Sequence, residues 1–316
     1  MTPAYLLRRI GSVLLVLVVV SFTVFAITMI LPGNAAVMIL GEYATEDQLA
    51  ALERRLGLDQ PLLVQYLEWS GGLLRGDFGM SLRLNQPVSG LILDAVGNSA
   101  LLGLSALVIV VLVAVPLGML AALRRGTRTD LGIGLMAYMG SAMPEFVTAT
   151  LLLVLFAGPV LAILPAGGFT PPGESLSGFL AHVVLPAVTL SLIMTAHIAR
   201  MVRSELADVM ASDYVRAARL KGLREDVVVR RHALPNSLAP TVAVVSLNFG
   251  YLLGGIIVVE EIFAWPGLGR LMIYALENRD LPVIQAVTLT LAMVYALSNL
   301  LSDIVIAALD PRVRYE

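Results

Sequence analysis

The side chains that could carry out acid–base, nucleophilic or metal chemistry are few in this chain and widely spaced. The three histidines are His182, His197 and His232, and none of them forms an H-E-x-x-H pair. There are no cysteines, which excludes thiolate chemistry, disulfides and iron–sulfur ligation. Lys221 is the only lysine, and it does not belong to the glycine-rich phosphate loop of ATPases. The sequence therefore predicts no metal site, no cofactor and no ATP hydrolysis by this chain alone.

An intramembrane hydrolase is a further class that the residues can be checked against. It needs a nucleophile and a base within hydrogen-bond reach at membrane depth. His197 is the only well-placed base, and no serine stands at a spacing that marks it as a partner. We therefore predict that the chain is not an enzyme.

Carboxylates inside apolar segments are the residues with the most specific chemical requirement. Glu145 follows Ser141 and Pro144 near the middle of one such segment. A carboxylate there must face a wet cavity, pair with a cation or be protonated. We predict that these three residues line a polar path and that Glu145 meets a passing amino group or cation; a hydrogen bond to a neighbouring helix is the alternative. Three acids nearer the segment borders are further candidates: Glu260, Glu261 and Asp303.

The polar segment 202–237 has the pattern of two short helices. Ser212 or Asp213 can cap the first helix, and Gly222 can end it in a left-handed turn. Its spacing places four residues on one face, with two alanines that allow another surface to approach closely: Tyr214, Ala217, Ala218 and Lys221. A second helix is predicted over 225–231, acidic at its start and basic at its end, as the helix dipole favours. An ordinary basic loop remains the alternative.

Six long apolar segments surround these sites and predict an all-α membrane protein. The hydrophobic share is 58% and the charged share only 14%, against about a quarter charged in soluble domains. Each segment has roughly the 20 residues that cross a bilayer as a helix. The predicted spans are 10–31, 100–123, 131–157, 183–201, 238–259 and 283–309. We treat residues 1–316 as one transmembrane domain.

The basic residues are distributed unequally between the connections. Fifteen of the 21 fall on the side that holds both termini and segment 202–237. The positive-inside rule therefore predicts that both termini are cytoplasmic. The first span follows Arg8-Arg9 and resembles a secretory signal, but its apolar run is longer than the 7–15 residues typical of such signals. We predict that it is retained.

The outer segment 32–99 is predicted to be helical in part. Thr45 to Gln48 form a capping-box pattern, and Gly57 is expected to end the helix that it opens. Pro61 is expected to begin a second helix, which contains Tyr66 and Trp69. These helices either lie on the outer membrane surface, where they could cap a cavity, or form a small solvated subdomain.

Small residues give two of the spans a face on which helices can pack closely. In the third span they are Gly134, Gly140, Ser141 and Ala142, and in the fifth Gly250, Gly254 and Gly255. We predict that these faces change packing partners as a path opens and closes. Simple packing positions are the alternative for each glycine.

Several motifs resemble those of bacterial ABC importer permeases. Residues 213–218 with Gly222, and His232 to Asn236, resemble the cytoplasmic coupling loop of that family. Other stretches are similar to the first permease subunit of dipeptide, oligopeptide and nickel importers: 8–9, 56–61, 76–81, 263–270 and 309–314. Two positions depart from the pattern: Asp213 stands where the family has Glu, and Glu145 where a small or polar residue is expected.

The resemblance implies roles and partners. It implies that Asp213, Tyr214, Ala217, Ala218, Lys221, Gly222, His232, Pro235 and Asn236 couple the chain to an ATPase. The implied partners are a second permease, two subunits that bind ATP and Mg²⁺, and an extracytoplasmic solute-binding protein. The chain is then a peptide permease of the bacterial inner membrane, in contact with lipid and not with nucleic acid.

Other functions stay open from the sequence. Nickel or another solute could replace peptides as the cargo of the same kind of importer. A self-sufficient secondary transporter or channel is less favoured, because no inverted repeat is evident. A membrane scaffold or sensor is disfavoured by the coupling-loop pattern.

Overall fold

The computed structural model describes residues 3–30, 45–55 and 59–309, and their regular structure is helical apart from one isolated bridge between Met80 and Pro87. The predicted helix end at Gly57 and the motif at 309–314, except Leu309, lie outside the described residues. The predicted capping box is confirmed: the Gln48 side chain accepts from the Thr45 amide at 3.1 Å, and the Gln48 amide donates to the Thr45 hydroxyl at 3.4 Å.

The helices that correspond to the predicted spans are longer than the apolar segments themselves. Among the described residues, four are long and apolar enough to cross a membrane. They are α1 (Pro3–Ile30), α4 (Val88–Leu123), α7 (Leu176–Met210) and α12 (Leu281–Leu309). The shorter helices before α4 are α2 (Glu46–Arg55) and α3 (Leu62–Leu73). With 36 residues, α4 is about 54 Å long at 1.5 Å per residue, so it continues well beyond a bilayer core of about 30 Å.

The third predicted span, 131–157, is not one continuous helix. It consists of α5 (Arg128–Ala142) and α6 (Glu145–Leu152), which meet at an angle of 105°, and α6 continues as a π-helical turn over Leu153–Ala157. Pro144 explains the break, since it cannot donate a backbone hydrogen bond and it forces the preceding residue out of the helical region. Met143 accordingly has φ −88° and ψ 123°.

The predicted helix over 225–231 also takes a different form. A single turn, α9 (Glu225–Val227), leads into a π-helical stretch, Val228–Ala233, which continues directly into α10 (Leu234–Ile262). Pro235 lies just after the wide turn. A proline ring collides with the carbonyl four residues earlier in a regular α-helix, and widening the turn relieves that collision. The fifth predicted span, 238–259, lies within α10.

Two compact units make up the chain. The first comprises residues 1–5, 99–265 and 298–316, and the second residues 6–98 and 266–297. The core of the first unit contains Leu102, Ile198 and Trp265, all almost completely buried. Phe169 packs edge-on against Trp265 at 4.8 Å between ring centroids. At Gly118, α4 crosses α7 so closely that an added Cβ would lie 2.6 Å from the Ala199 carbonyl oxygen.

The second unit contains α2, α3 and α11 (Leu268–Glu277). The Tyr66 and Trp69 rings of α3 pack on Phe25 of α1, and the Tyr66 hydroxyl lies 2.8 Å from the Ser21 hydroxyl. The aromatic residues of α3 therefore face the first span rather than only solvent. The buried carboxylate of Asp280 accepts from the Ser81 hydroxyl at 2.5 Å and from two backbone amides that follow it, which fixes the loop before α12.

Candidate coupling loop and translocation path

The segment between α7 and α10 begins with α8 (Asp213–Leu220). Ser212 is its N-cap residue by backbone geometry, but the Ser212 hydroxyl donates back to the Val209 carbonyl rather than capping α8. Gly222 ends the helix with φ +77°, as the sequence predicts. The Gly222 amide donates to the Arg219 carbonyl, and the Leu223 amide donates to the Ala218 carbonyl. These bonds are expected when a glycine in the left-handed region ends a helix.

The two faces of α8 differ sharply in exposure. Val215 and Ala218 are buried in a small apolar cluster with Ala122 of α4 and Leu206 of α7. Tyr214 is 45% exposed, and Ala217 and Lys221 are exposed as well. The prediction that Ala218 shares a face with Tyr214, Ala217 and Lys221 is therefore wrong. Ala218 lies on the buried face of α8, and the other three residues are exposed. Leu220 at the end of α8 is 82% exposed.

Polar contacts fix α8 to the helical turn that follows it. Arg219 donates to both carboxylate oxygens of Glu225, at 2.6 and 3.1 Å. This hydrogen bond lowers the pKa of Glu225 below its ordinary value. Two-point contacts between a guanidinium and a carboxylate add geometric definition as well as energy.

The two separate parts of the coupling-loop pattern meet in space. Asn236 donates to the Tyr214 hydroxyl at 3.3 Å and to the His232 carbonyl at 2.9 Å. Pro235 and Asn236 are exposed, His232 is half-buried and Asp213 is exposed. Tyr214 and Asn236 are 22 residues apart, and their contact ties α8 to the start of α10. Ala233, the last residue before α10, also lies in the buried cluster with Val215 and Ala218.

Glu145 lies at the break between α5 and α6 and is the first residue of α6. Its side chain is half-buried and forms no hydrogen bond or ion pair with the residues that the structure describes. One carboxylate oxygen points at Gly255 of α10, so that an added Cβ at position 255 would lie 2.9 Å from it. Pro144 is exposed, and the Ser141 hydroxyl donates to the Tyr138 carbonyl at 3.0 Å.

The remaining candidate acids differ in exposure. Glu260 is completely buried and accepts a hydrogen bond of 2.5 Å from the Ser99 hydroxyl, so its environment is that of an internal structural contact. Asp303 is 8% exposed, whereas Glu261 is exposed. Of the four acids predicted to line a path, Glu145 combines partial exposure, a helix break and a contacting glycine.

The sequence did not predict the ion pair between Asp130 and Arg203. Asp130 of α5 is buried and accepts from Arg203 of α7 at 2.5 and 2.8 Å, and from the Gly126 amide at 2.9 Å. The two residues are 73 positions apart. The one signal in the sequence was an acid in the first turn after Thr127, which is the N-cap of α5.

The comparisons with known proteins agree with this architecture. Residues 114–315 match the family described as "binding-protein-dependent transport system inner membrane component", and residues 2–99 match its N-terminal region. A putative peptide transport system permease of Brucella melitensis is 38% identical over the whole of both chains. A glutathione transport system permease of Salmonella paratyphi A is 38% identical over 99% of each chain.

A probable peptide ABC transporter permease of Sinorhizobium fredii is 36% identical, over 98% of this chain and 99% of its own. Among solved structures, the crystal structure of an amino acid ABC transporter with histidines superposes with a TM-score of 0.50 at 15% identity. That match covers 70% of this chain and 94% of the other. It shows that the fold is shared.

Proposed function

Because the chain belongs to the family of binding-protein-dependent transport system inner membrane components, we propose that it forms half of the translocation path of an ATP-driven peptide importer. It is a permease subunit of an ABC transport system and a multi-pass helical membrane protein. Peptides are the proposed cargo because similar full-length proteins are named as peptide and glutathione permeases.

The proposed topology has six crossings with both termini in the cytoplasm of a bacterial inner membrane. The crossings are α1, α4, the bent pair α5 and α6, α7, α10 and α12. Residues 32–99 are then extracytoplasmic and 202–237 cytoplasmic. The distribution of basic residues supports this orientation.

The proposed complex contains a second permease, two ATP-binding subunits that hold ATP and Mg²⁺, and an extracytoplasmic solute-binding protein. The observation that carries this proposal is the contrast between the two faces of α8. One face is buried in the apolar cluster, and the other exposes Tyr214, Ala217 and Lys221 to solvent. A helix held in this way can transmit the movement of a docked ATPase to α10 through Asn236. ATP would act by favouring one packing of the helices over another.

The docking proposal is tested by Ala217→Glu in the reconstituted complex. A carboxylate with its long side chain on the exposed face should prevent close approach of the ATPase subunits without disturbing the buried face of α8. We expect ATP hydrolysis stimulated by the loaded binding protein to fall at least tenfold. Membrane insertion of the permease should stay normal.

The matched control is Ala166→Glu, the same change at an exposed residue of the connection before α7. It should hydrolyse ATP like the wild type. Wild-type stimulation in Ala217→Glu, with the ATPase subunits co-purifying in normal amounts, would contradict docking on this face.

A further inference from the structure

A cavity of about 680 Å³ lies between the first turns of α5 and the end of α7, and neither α8 nor Glu145 lines it. On the α5 side it begins at Thr127 and Arg128, and on the α7 side it is bounded by Arg200, Arg203 and Ser204. Its volume falls within the roughly 300–1,000 Å³ of sites that bind small molecules. We call this cavity the basic groove.

The basic groove has a positive charge that its own lining residues do not neutralise. Three arginines and one aspartate line it, which leaves a formal charge of +2. Asp130 is already bonded through both carboxylate oxygens to Arg203. The excess therefore resides on Arg128 and Arg200.

Arg200 is held in position without a carboxylate partner among the described residues. Its guanidinium lies 5.0 Å from the centroid of the Tyr138 ring, and it also lies 3.4 Å from Nδ1 of His197. A cation–π contact orients a guanidinium but leaves its charge available. Arg200 is thus fixed in place and free to bind an anion.

The rest of the groove is apolar and open. Leu131, Leu135 and Tyr138 follow each other at helical spacing along α5, and they are 64%, 54% and 63% exposed. Gly134 lies between them, and a Cβ added there would meet no atom within 4 Å. The groove therefore combines arginine side chains with an apolar wall about 10 Å long, at 1.5 Å per residue.

We propose that the basic groove binds an anionic phospholipid, with its negatively charged headgroup among the arginines and one acyl chain along Leu131, Gly134 and Leu135. Basic pockets between helices on the cytoplasmic side of a membrane suit such headgroups. The assignment rests on the proposed orientation, which places this end of α5 at the cytoplasmic leaflet.

Two other occupants fit the groove less well. A soluble phosphate matches the arginines but makes no use of the apolar wall formed by Leu131 and Leu135. A second permease subunit covering the groove would bury Arg128 and Arg200, which have no carboxylate partner among the described residues. Such burial is strongly unfavourable unless the second subunit supplies the acids.

The test is native mass spectrometry of the purified complex, titrated with phosphatidylglycerol or with phosphatidylcholine of the same acyl chains. The wild type should retain one phosphatidylglycerol with clear preference over phosphatidylcholine. Arg200→Gln should weaken that binding about fivefold, the effect of one basic side chain near an anionic headgroup. Gly134→Leu keeps every charge and fills the groove, so it should also weaken binding.

The matched control is Arg75→Gln, which removes an exposed arginine far along the chain on the proposed outer side. It should bind phosphatidylglycerol like the wild type. Equal affinity for the two lipids, or equal binding by the Arg200 and Arg75 variants, would overturn the proposal. Displacement of the lipid by an equal concentration of inorganic phosphate would identify a site for soluble anions instead and would also overturn it.

A photoreactive amino acid at Leu135 distinguishes the occupants in native membranes. A lipid-sized mass increase on the permease supports the proposal, and a crosslink to another permease subunit as the main product refutes it. Both readouts measure occupancy of the groove and not transport. They can therefore fail while ATPase docking on α8 succeeds, or succeed while docking fails.

Discussion

At the scale of single residues, Glu145 and Gly255 form the most specific arrangement in the proposed path. The half-buried carboxylate lies against Gly255, where an added Cβ would come within 2.9 Å of a carboxylate oxygen and shift it. A carboxylate at membrane depth without a protein partner calls for water, a proton or a cationic ligand. The free amino terminus of a peptide is a cation of the kind that an importer of peptides would carry.

Replacing Glu145 by Gln tests this arrangement. The amide keeps the size and loses the charge, so uptake of peptides with a free amino terminus should fall about tenfold in kcat/KM, the effect of losing a charged hydrogen bond of roughly 1.5 kcal/mol or more. Uptake of the same peptides with an acetylated amino terminus should not change. Transport is measured in proteoliposomes with the complete complex.

Glu174→Gln is the control for this change, because Glu174 is an exposed residue in the connection before α7. Gly255→Ala should reproduce part of the Glu145→Gln defect, since the new methyl group displaces the carboxylate. Unchanged kinetics and an unchanged range of peptides in Glu145→Gln would remove Glu145 from the path.

At the scale of elements, the packing of α4 on α7 sets the frame to which the coupling loop is attached. The two helices approach closely at Gly118, and further along Ala122 and Leu206 hold the buried face of α8. Interiors are packed densely enough that one added methyl group is felt. The buried face of α8 is therefore anchored on a closely packed helix pair.

The close approach of α4 and α7 at Gly118 predicts that the same glycine-to-alanine change has different effects on stability at two positions of α4. Gly118→Ala places a methyl group 2.6 Å from the Ala199 carbonyl oxygen and should destabilise the folded protein by about 1–3 kcal/mol. Gly103→Ala meets open space and should be neutral or stabilising by up to about 1 kcal/mol, because alanine favours the helix. Denaturation of the purified protein in detergent measures both.

The two variants differ only in position on one helix, so general effects of the substitution cancel. An equal stability for Gly118→Ala and Gly103→Ala would mean that α4 and α7 are further apart than the structure shows.

At the scale of the whole molecule, the direction of the chain across the membrane decides which surfaces meet which partners. In the proposed orientation, α8 lies in the cytoplasm, and the helices α2 and α3 lie on the outer side. The natural chain contains no cysteine, so a single introduced thiol reports on one position without background.

Single-cysteine variants are expected to label from opposite sides. Leu74→Cys, at a residue that is 91% exposed after α3, should react with a membrane-impermeant maleimide in intact spheroplasts. Arg125→Cys, in the exposed connection before α5, should react only after the membrane is opened. Labelling of Arg125→Cys in intact spheroplasts would contradict the proposed orientation.

The sequence by itself determined the parts of this protein that depend on local chemistry. Long apolar segments indicated the membrane helices. A backbone inside hydrocarbon must satisfy all of its hydrogen bonds internally, and a helix does so within one segment. The Thr45 and Gln48 cap and the left-handed turn at Gly222 followed from side-chain and backbone preferences alone. The coupling-loop motif indicated the family that the comparisons show.

Only the tertiary structure decided which residues of those elements meet. Glu145 was predicted near the middle of a span and lies at a helix break in the structure. Ala218 was predicted on a face open to a partner and is buried. Arg203 donates to the carboxylate of Asp130, 73 positions away, and Asn236 donates to the Tyr214 hydroxyl. Periodicity within one helix fixes which residues share a face, but the packing of neighbouring helices decides which face is covered.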